Sequence, residues 1–180
     1  EGMISFARDM EVDFIGLSFV ESGSHVKAFR ELIGGSAPRI VAKVENQRGM
    51  DNVEEIAAVA DAIMVDRGDL SVETSLHDVA LRQKTIIKAA AKFGRPVIIA
   101  TEMLHTMIEN SFPTKAEVSD ITNADLDGCA ATMLSGETAI GNFPEDAVRL
   151  MRDVADASEI HVQEELSSTT LNFGNSVPEV

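Results

Sequence analysis

The sequence predicts an α/β fold of parallel strand–helix units, and three observations predict it. Short apolar runs alternate five times with stretches of helical periodicity. The apolar runs are nearly unbroken rather than alternating, as in strands covered by helices on both faces. Serine, threonine or proline opens several of the helical stretches and glycine closes others. Two architectures satisfy this pattern: an open doubly wound sheet, or part of a (β/α)8 barrel. A glycine-rich first turn would favour the open sheet. None is present, because Gly34-Gly35 ends a helix and precedes a strand.

Met3 to Met10 has the spacing of a helix end, with Ile4, Phe6, Ala7 and Met10 apolar. Val12 to Val20 is the first strand. Ser22 or Ser24 caps a helix that reaches Ile33 and stops at Gly34-Gly35. Arg39 to Val44 is the second strand, and Asn52 to Ala60 a short helix with Val53, Ile56 and Ala57 on one side. Ala62 to Val65 is the third strand, followed by Asp66-Arg-Gly-Asp69. A helix from Asp78 to Phe93 is closed by Gly94, and Pro96 to Thr101 is the fourth strand. Thr114-Lys-Ala-Glu117 is a capping box for a helix reaching Leu126. Cys129 to Leu134 is the fifth strand, and Pro144 opens a last helix that runs past Met151. From Ser167 the composition is that of a linker or frayed end, so residues 1–166 form the domain and 167–180 its tail.

Thirty acidic against 15 basic residues give a net charge of −15, which argues against nucleic acid and anionic membrane as partners. A locally basic or metal-bearing pocket for an anionic substrate is not excluded. Cys129 is the single cysteine and can form no internal disulfide, which suits a reducing cytoplasm. No apolar run approaches the roughly 20 residues of a membrane span. Glu1 to Arg8 reads as the middle of a helix rather than a signal peptide, as if the chain were cut from something longer.

Both architectures put ligands at the carboxyl ends of the strands. Those ends carry Ser18, then Lys43 and Glu45, then Gly68 and Asp69, then Thr101 and Glu102, then Ser135 and Glu137. Each has a structural reading in isolation. A Lys–Glu pair can be a strand-end ion pair, Gly68-Asp69 a turn, Thr101 a β-branched strand residue and Ser135-Gly-Glu-Thr138 a helix cap. Together they line one rim with a lysine, several carboxylates and hydroxyls. Lys43 and Glu45 are two apart and share a strand face. Glu45 and Asp69 suit magnesium, which takes oxygen ligands and keeps waters for a substrate to replace. The amides after Arg67 can cradle a carboxylate or phosphate. The four histidines, His25, His77, His105 and His161, have no ligand spacing and read as surface residues; the methionines read as core filler. Arg67-Gly-Asp69 matches an adhesion tripeptide but stands at a strand end, the wrong context.

Seven runs, taken together, resemble the pyruvate kinase family. They are Ile15-Gly-Leu-Ser-Phe-Val20, Ala42-Lys-Val-Glu-Asn46, Met64-Val-Asp-Arg-Gly-Asp-Leu70, Gln83-Lys84, Pro96 to Leu104, Pro113 to Glu117 and Met133-Leu-Ser-Gly-Glu-Thr-Ala139. The resemblance implies the second part of a (β/α)8 TIM barrel, strands four to eight, incomplete. It implies a cytoplasmic glycolytic enzyme that moves a phosphoryl group from phosphoenolpyruvate to ADP, giving pyruvate and ATP. Lys43 then matches the lysine that stabilises charge on the transferring group and the enolate. Glu45 and Asp69 match the ligands of Mg2+ (or Mn2+), and the amides of Gly68 and Asp69 the cradle for the substrate carboxylate. Thr101 matches the threonine beside the carbon that gains a proton, and Ser135 joins a proton relay. K+ is expected for the family, with ligands outside this chain, and homo-oligomers are expected.

The sequence also departs from that pattern. Asp66 stands where the family usually has alanine, Ser71 replaces a glycine, and Thr74-Ser75 replace an apolar residue and proline. Glu21 replaces a common arginine, His105 a common acid and Phe112 a common basic residue. The family's first three barrel strands, lid and C-terminal domain have no counterpart here. The expectation is an isolated chain that is inactive and self-associates through open edges at its first and fifth strands. Ile63, Ile98 and Met133 are the expected inward residues that lose an opposing wall. Two alternatives remain: a non-catalytic divergent half-barrel kept as a folding, regulatory or interaction module, and another magnesium enolate enzyme on a barrel.

Overall fold

The computed structural model describes residues 2–35 and 37–173, with side chains described up to residue 164. The chain divides into two compact units, residues 1–103 with 127–135 and residues 104–126 with 136 onward.

The first unit holds helix α1 (Gly2–Asp9), strand β1 (Phe14–Leu17), helix α2 (Gly23–Ile33), strand β2 (Arg39–Val44), helices α3 (Gln47–Asp51) and α4 (Val53–Val59), strand β3 (Ala62–Asp66), helices α5 (Arg67–Glu73) and α6 (Val79–Ala91), and strand β4 (Val97–Ala100). Ser22 caps α2 by accepting the His25 N–H, and Gly34 ends it with φ +73, in the left-handed region a Cβ disfavours. Asn46 caps α3 through Gly49 N–H. Gly49 also has to be glycine, because a Cβ there would meet Val20 O at 2.6 Å. The turn that Gly68-Asp69 could form in isolation is instead the first turn of α5, which starts at Arg67 directly after β3.

Strand β5 (Ala131–Met133) completes one sheet of five parallel strands in the order β1-β2-β3-β4-β5. A doubly wound sheet reverses its strand order at a switch point. This sheet grows in one direction, as consecutive units of a barrel wall do, which decides between the two architectures left open by the sequence. Among the described residues β1 pairs only with β2 and β5 only with β4, so both outer strands present free edges.

Register assigns the faces. Ala42, Ile63 and Val97 are neighbours in one row, and Lys43, Met64, Ile98 and Ala131 in the next. The row of Ala42, extended by Ile40, Val44, Val65 and Ile99, is fully buried, and α2, α4 and α6 pack against these central strands. The face of Lys43 is more open: Met64 and Ile98 are half-buried, and Met133, paired with Ala100 further along the same face, is exposed. Ile98 and Met133 thus lie on the uncovered face as expected. Ile63 does not; it belongs to the helix-covered face, one residue out of phase with Met64, and is 0% exposed.

The second unit contains a 3-10 turn (His105–Ile108) and helices α7 (Lys115–Leu126), α8 (Gly136–Ala139) and α9 (Pro144–Phe173). The capping box forms as predicted, with Glu117 N–H donating to Thr114 Oγ1 and Thr114 N–H to Glu117 Oε2. Glu117 also accepts from the N–H and hydroxyl of Thr106. Ile121 and Ala124 on α7 and Ala147 and Met151 on α9 are buried where those helices pack together. Buried Glu137 accepts the Leu104 N–H at 3.0 Å. Helix α9 continues through Ser167, where a linker or frayed end was expected, to Phe173; residues 174–180 lie outside the described residues. No helix among the described residues is long and apolar enough to cross a membrane.

Candidate active site

Strand periodicity puts Lys43 and Glu45 on one face at the carboxyl end of β2, and Asp66 ends β3 beside them. The Lys43 stem passes Gly16, with Lys43 Cδ 3.9 Å from an ideal Cβ position there, an ordinary contact distance. Its ammonium meets Glu45 Oε1 at 2.5 Å and Asp66 Oδ2 at 3.0 Å. Burial pulls the ammonium toward deprotonation, but the hydrogen bonds and charges of Glu45 and Asp66 outweigh it, so the Lys43 pKa stands above the ordinary lysine value. Lys43 is therefore a cation throughout the neutral range.

Glu45 is fully buried. Its Oε2 accepts the Phe19 N–H at 2.5 Å, with Phe19 at φ +51 as the chain leaves β1. Its Oε1 carries the Lys43 ammonium at 2.5 Å. Oxygens of Glu45, Asp66 and Asp69 lie within 4.8 Å of one another. That all-oxygen, all-carboxylate donor set fits a hard divalent ion such as Mg2+ or Mn2+. Asp69, in the first turn of α5, is exposed.

The end of β4 is held in a rare conformation. Thr101 has φ +70 and Glu102 φ +56, and a β-branched residue there is an outlier that costs about 1–3 kcal/mol. Arg67 compensates. Its buried guanidinium donates to Thr101 O through Nε at 3.1 Å and Nη2 at 2.8 Å, and Nη2 also reaches Glu102 O at 3.0 Å and Met103 Sδ at 3.0 Å. The turn aims Thr101 Oγ1 back across the sheet, where it accepts the Gly68 N–H at 2.8 Å and lies 3.2 Å from Asp66 Oδ1. The Gly68 amide is thus engaged by Thr101, and a substrate carboxylate would have to displace that hydroxyl to use it. A Cβ at Gly68 would sit 3.5 Å from Thr101 Oγ1 and 3.6 Å from Asp66 Oδ1, narrowing the space above the cluster. The Ser71 hydroxyl donates to Gly68 O at 2.8 Å.

The structure therefore brings together Lys43, Glu45, Asp69, Gly68 and Thr101. Ser135 stands at the carboxyl end of edge strand β5, with β3 and β4 between it and β2. Two residues of the constellation were missed as contributors. Asp66 was read only as a departure, although its place at the end of an apolar run next to Lys43's strand was a usable signal. Arg67 was read within a family-like run and a discounted tripeptide, with no role for its side chain; nothing local in the sequence announces a guanidinium gripping the next strand's end. Outside this region, Glu21 pairs with Arg48 at 3.0 Å and Phe112 is 80% exposed.

Comparison with known proteins agrees with this geometry. The family described as pyruvate kinase, barrel domain, matches residues 1–148. The chain is 46% identical to a pyruvate kinase of Borreliella burgdorferi over 180 residues, 98% of this chain and 38% of that protein. It is 48% identical to one of Bacillus licheniformis over 159 residues, 87% of this chain and 27% of that protein. A crystal structure of a pyruvate kinase from Cryptosporidium parvum superposes with a TM-score of 0.87 at 36% identity, over 99% of this chain and 38% of that one. The chain thus spans 38% of the length of the Borreliella relative and 27% of the Bacillus one. With a family match over most of its length and a five-stranded parallel sheet in barrel order, the chain belongs to the pyruvate kinase family, as part of its barrel domain.

Proposed function

We propose that this chain carries the metal- and phosphoryl-contacting side of a pyruvate kinase site, serving magnesium-dependent transfer from phosphoenolpyruvate to ADP. The observation that carries the reading is the convergence of Lys43, Glu45, Asp69 and Thr101 at the carboxyl ends of three adjacent strands. Phosphoryl transfer asks a protein mainly for positioning and neutralisation of charge. Lys43, cationic and anchored by two carboxylates, is the group that meets the anionic phosphoryl oxygens and the enolate left behind. Glu45 and Asp69, with Asp66 beside them, would hold the magnesium ion, which when bound neutralises and orients the phosphoryl and enolate oxygens. The Thr101 hydroxyl, fixed by the Arg67 brace and the Gly68 amide, is positioned to deliver or relay a proton to the enolate carbon. Ser135 joins that relay by resemblance.

The test is Lys43→Met in a full-length pyruvate kinase carrying this segment, assayed with phosphoenolpyruvate, ADP, magnesium and potassium. Losing one transition-state charge contact should cost on the order of 3–4 kcal/mol, a drop of a few hundredfold in turnover with the fold intact. Turnover retained within about tenfold, or roughly 1.4 kcal/mol, would reduce Lys43 to a structural partner of Glu45.

A further inference from the structure

Asp66 is an aspartate at the N-cap position of α5, with extended backbone (φ −89, ψ 98), yet it makes no side-chain cap bond to the helix. Aspartate there ordinarily accepts a free amide of the first turn. Its carboxylate turns instead toward the site, with Oδ2 3.0 Å from Lys43 Nζ and Oδ1 3.2 Å from Thr101 Oγ1. It is nearly buried, with 12% of its side chain exposed. It thus occupies, from within the chain, the cation assigned above to an anionic substrate, and lies beside the Thr101 hydroxyl, which is 2.6 Å from Ala100 O. An oxygen of the same carboxylate also lies within 4.8 Å of oxygens of Glu45 and Asp69. Three carboxylates against one ammonium leave two formal negative charges, the charge a divalent cation neutralises.

We propose that Asp66 is a metal-responsive counterion of Lys43: it holds the ammonium while the site lacks a divalent cation, and turns to the cation when one binds, freeing Lys43 for the anionic substrate. This rests on the reading of Lys43 as the anion contact. A dication attracts the Asp66 carboxylate more strongly than a singly charged ammonium does, and repels that ammonium. Without metal, an incoming phosphate ester must displace an aspartate already bonded at 3.0 Å. Metal and anion then bind cooperatively through Asp66, and the coupling is reciprocal.

The experiment measures two affinities on the whole chain: Mn2+ without substrate by calorimetry, and phosphoenolpyruvate without metal by NMR titration. Wild type, Asp66→Ala, Asp66→Asn and Glu45→Gln are compared, with circular dichroism confirming the fold. Asn keeps the size and the acceptor for Thr101 but not the charge. Both Asp66 variants should bind metal-free phosphoenolpyruvate about tenfold more tightly and Mn2+ about tenfold more weakly. The proposal is overturned if either affinity stays within about twofold of wild type, if metal-free phosphoenolpyruvate binding weakens, or if Asn behaves as wild type. Should Glu45→Gln weaken Mn2+ while the Asp66 variants change nothing, this inference alone fails. Should wild type bind no Mn2+, or Glu45→Gln leave its affinity unchanged, the metal site fails and the inference with it.

Discussion

On the covered face of the sheet Ile40, Ala42, Val44, Ile63, Val65 and Ile99 are completely buried, whereas on the other face Lys43, Met64 and Ile98 keep part of their surface in water. The same three strands make both faces, one residue out of step. The covered face holds the unit together through helices α2, α4 and α6. The open face spends its strand ends on charge: Lys43, Glu45 and Asp66 stand at positions that a purely structural sheet would fill with apolar side chains. Position along the strand separates stability from chemistry, and substitutions on the two faces should report that separation.

The largest effect is expected at Ile63. Ile63→Ala removes a fully buried side chain and should destabilise by about 2–5 kcal/mol in denaturant unfolding, while Ile98→Ala on the open face should cost under about 2 kcal/mol. Equal losses would erase the distinction between the faces. Next comes the brace under Thr101. Arg67→Lys keeps the charge but loses the fork that grips two carbonyls, and should cost about 2 kcal/mol or more. It should also move the Thr101 methyl signal in an NMR spectrum; an unmoved Thr101 would mean that the left-handed turn holds itself.

The smallest effect lies in the second unit, far in sequence from the site. Burial would raise the Glu117 pKa, but the donors of Thr106 and Thr114 outweigh it and hold the carboxyl below its usual value. The sign follows from linkage. Its contribution is fully present above the ordinary glutamate pKa and is lost as pH falls through the lower folded value. Glu117→Gln should cost about 1 kcal/mol at neutral pH and flatten that acid limb of the stability curve. An unchanged acid limb would remove the capping box as its source.

Much of this division was legible in the sequence, because it rests on local rules. The apolar runs at Ile40–Val44, interrupted only by Lys43, and at Ala62–Val65 announce buried parallel strands, while the cap at Ser22 or Ser24, the capping box at Thr114 and Pro144 as a first helical residue mark helix starts. The two-residue spacing of Lys43 and Glu45 was enough to place them together. What was not legible depends on neighbours that only folding supplies. The face of Ile63 follows from its register with Ala42 and Val97, which one strand cannot specify alone. The helix at Arg67 was hidden because Gly68-Asp69 also has a turn reading. Asp66 and Arg67 gained roles only when β2 and β4 were set on either side of β3.

The central claim is that the ends of β2 and β3 converge on a divalent cation, and paramagnetic NMR tests it most directly. Titrating the chain with Mn2+ should broaden signals of Glu45, Asp66 and Asp69 and their sequence neighbours first, with Glu45→Gln weakening the effect while the fold persists. Broadening confined to other acidic stretches, or none at all in a folded sample, would contradict the account.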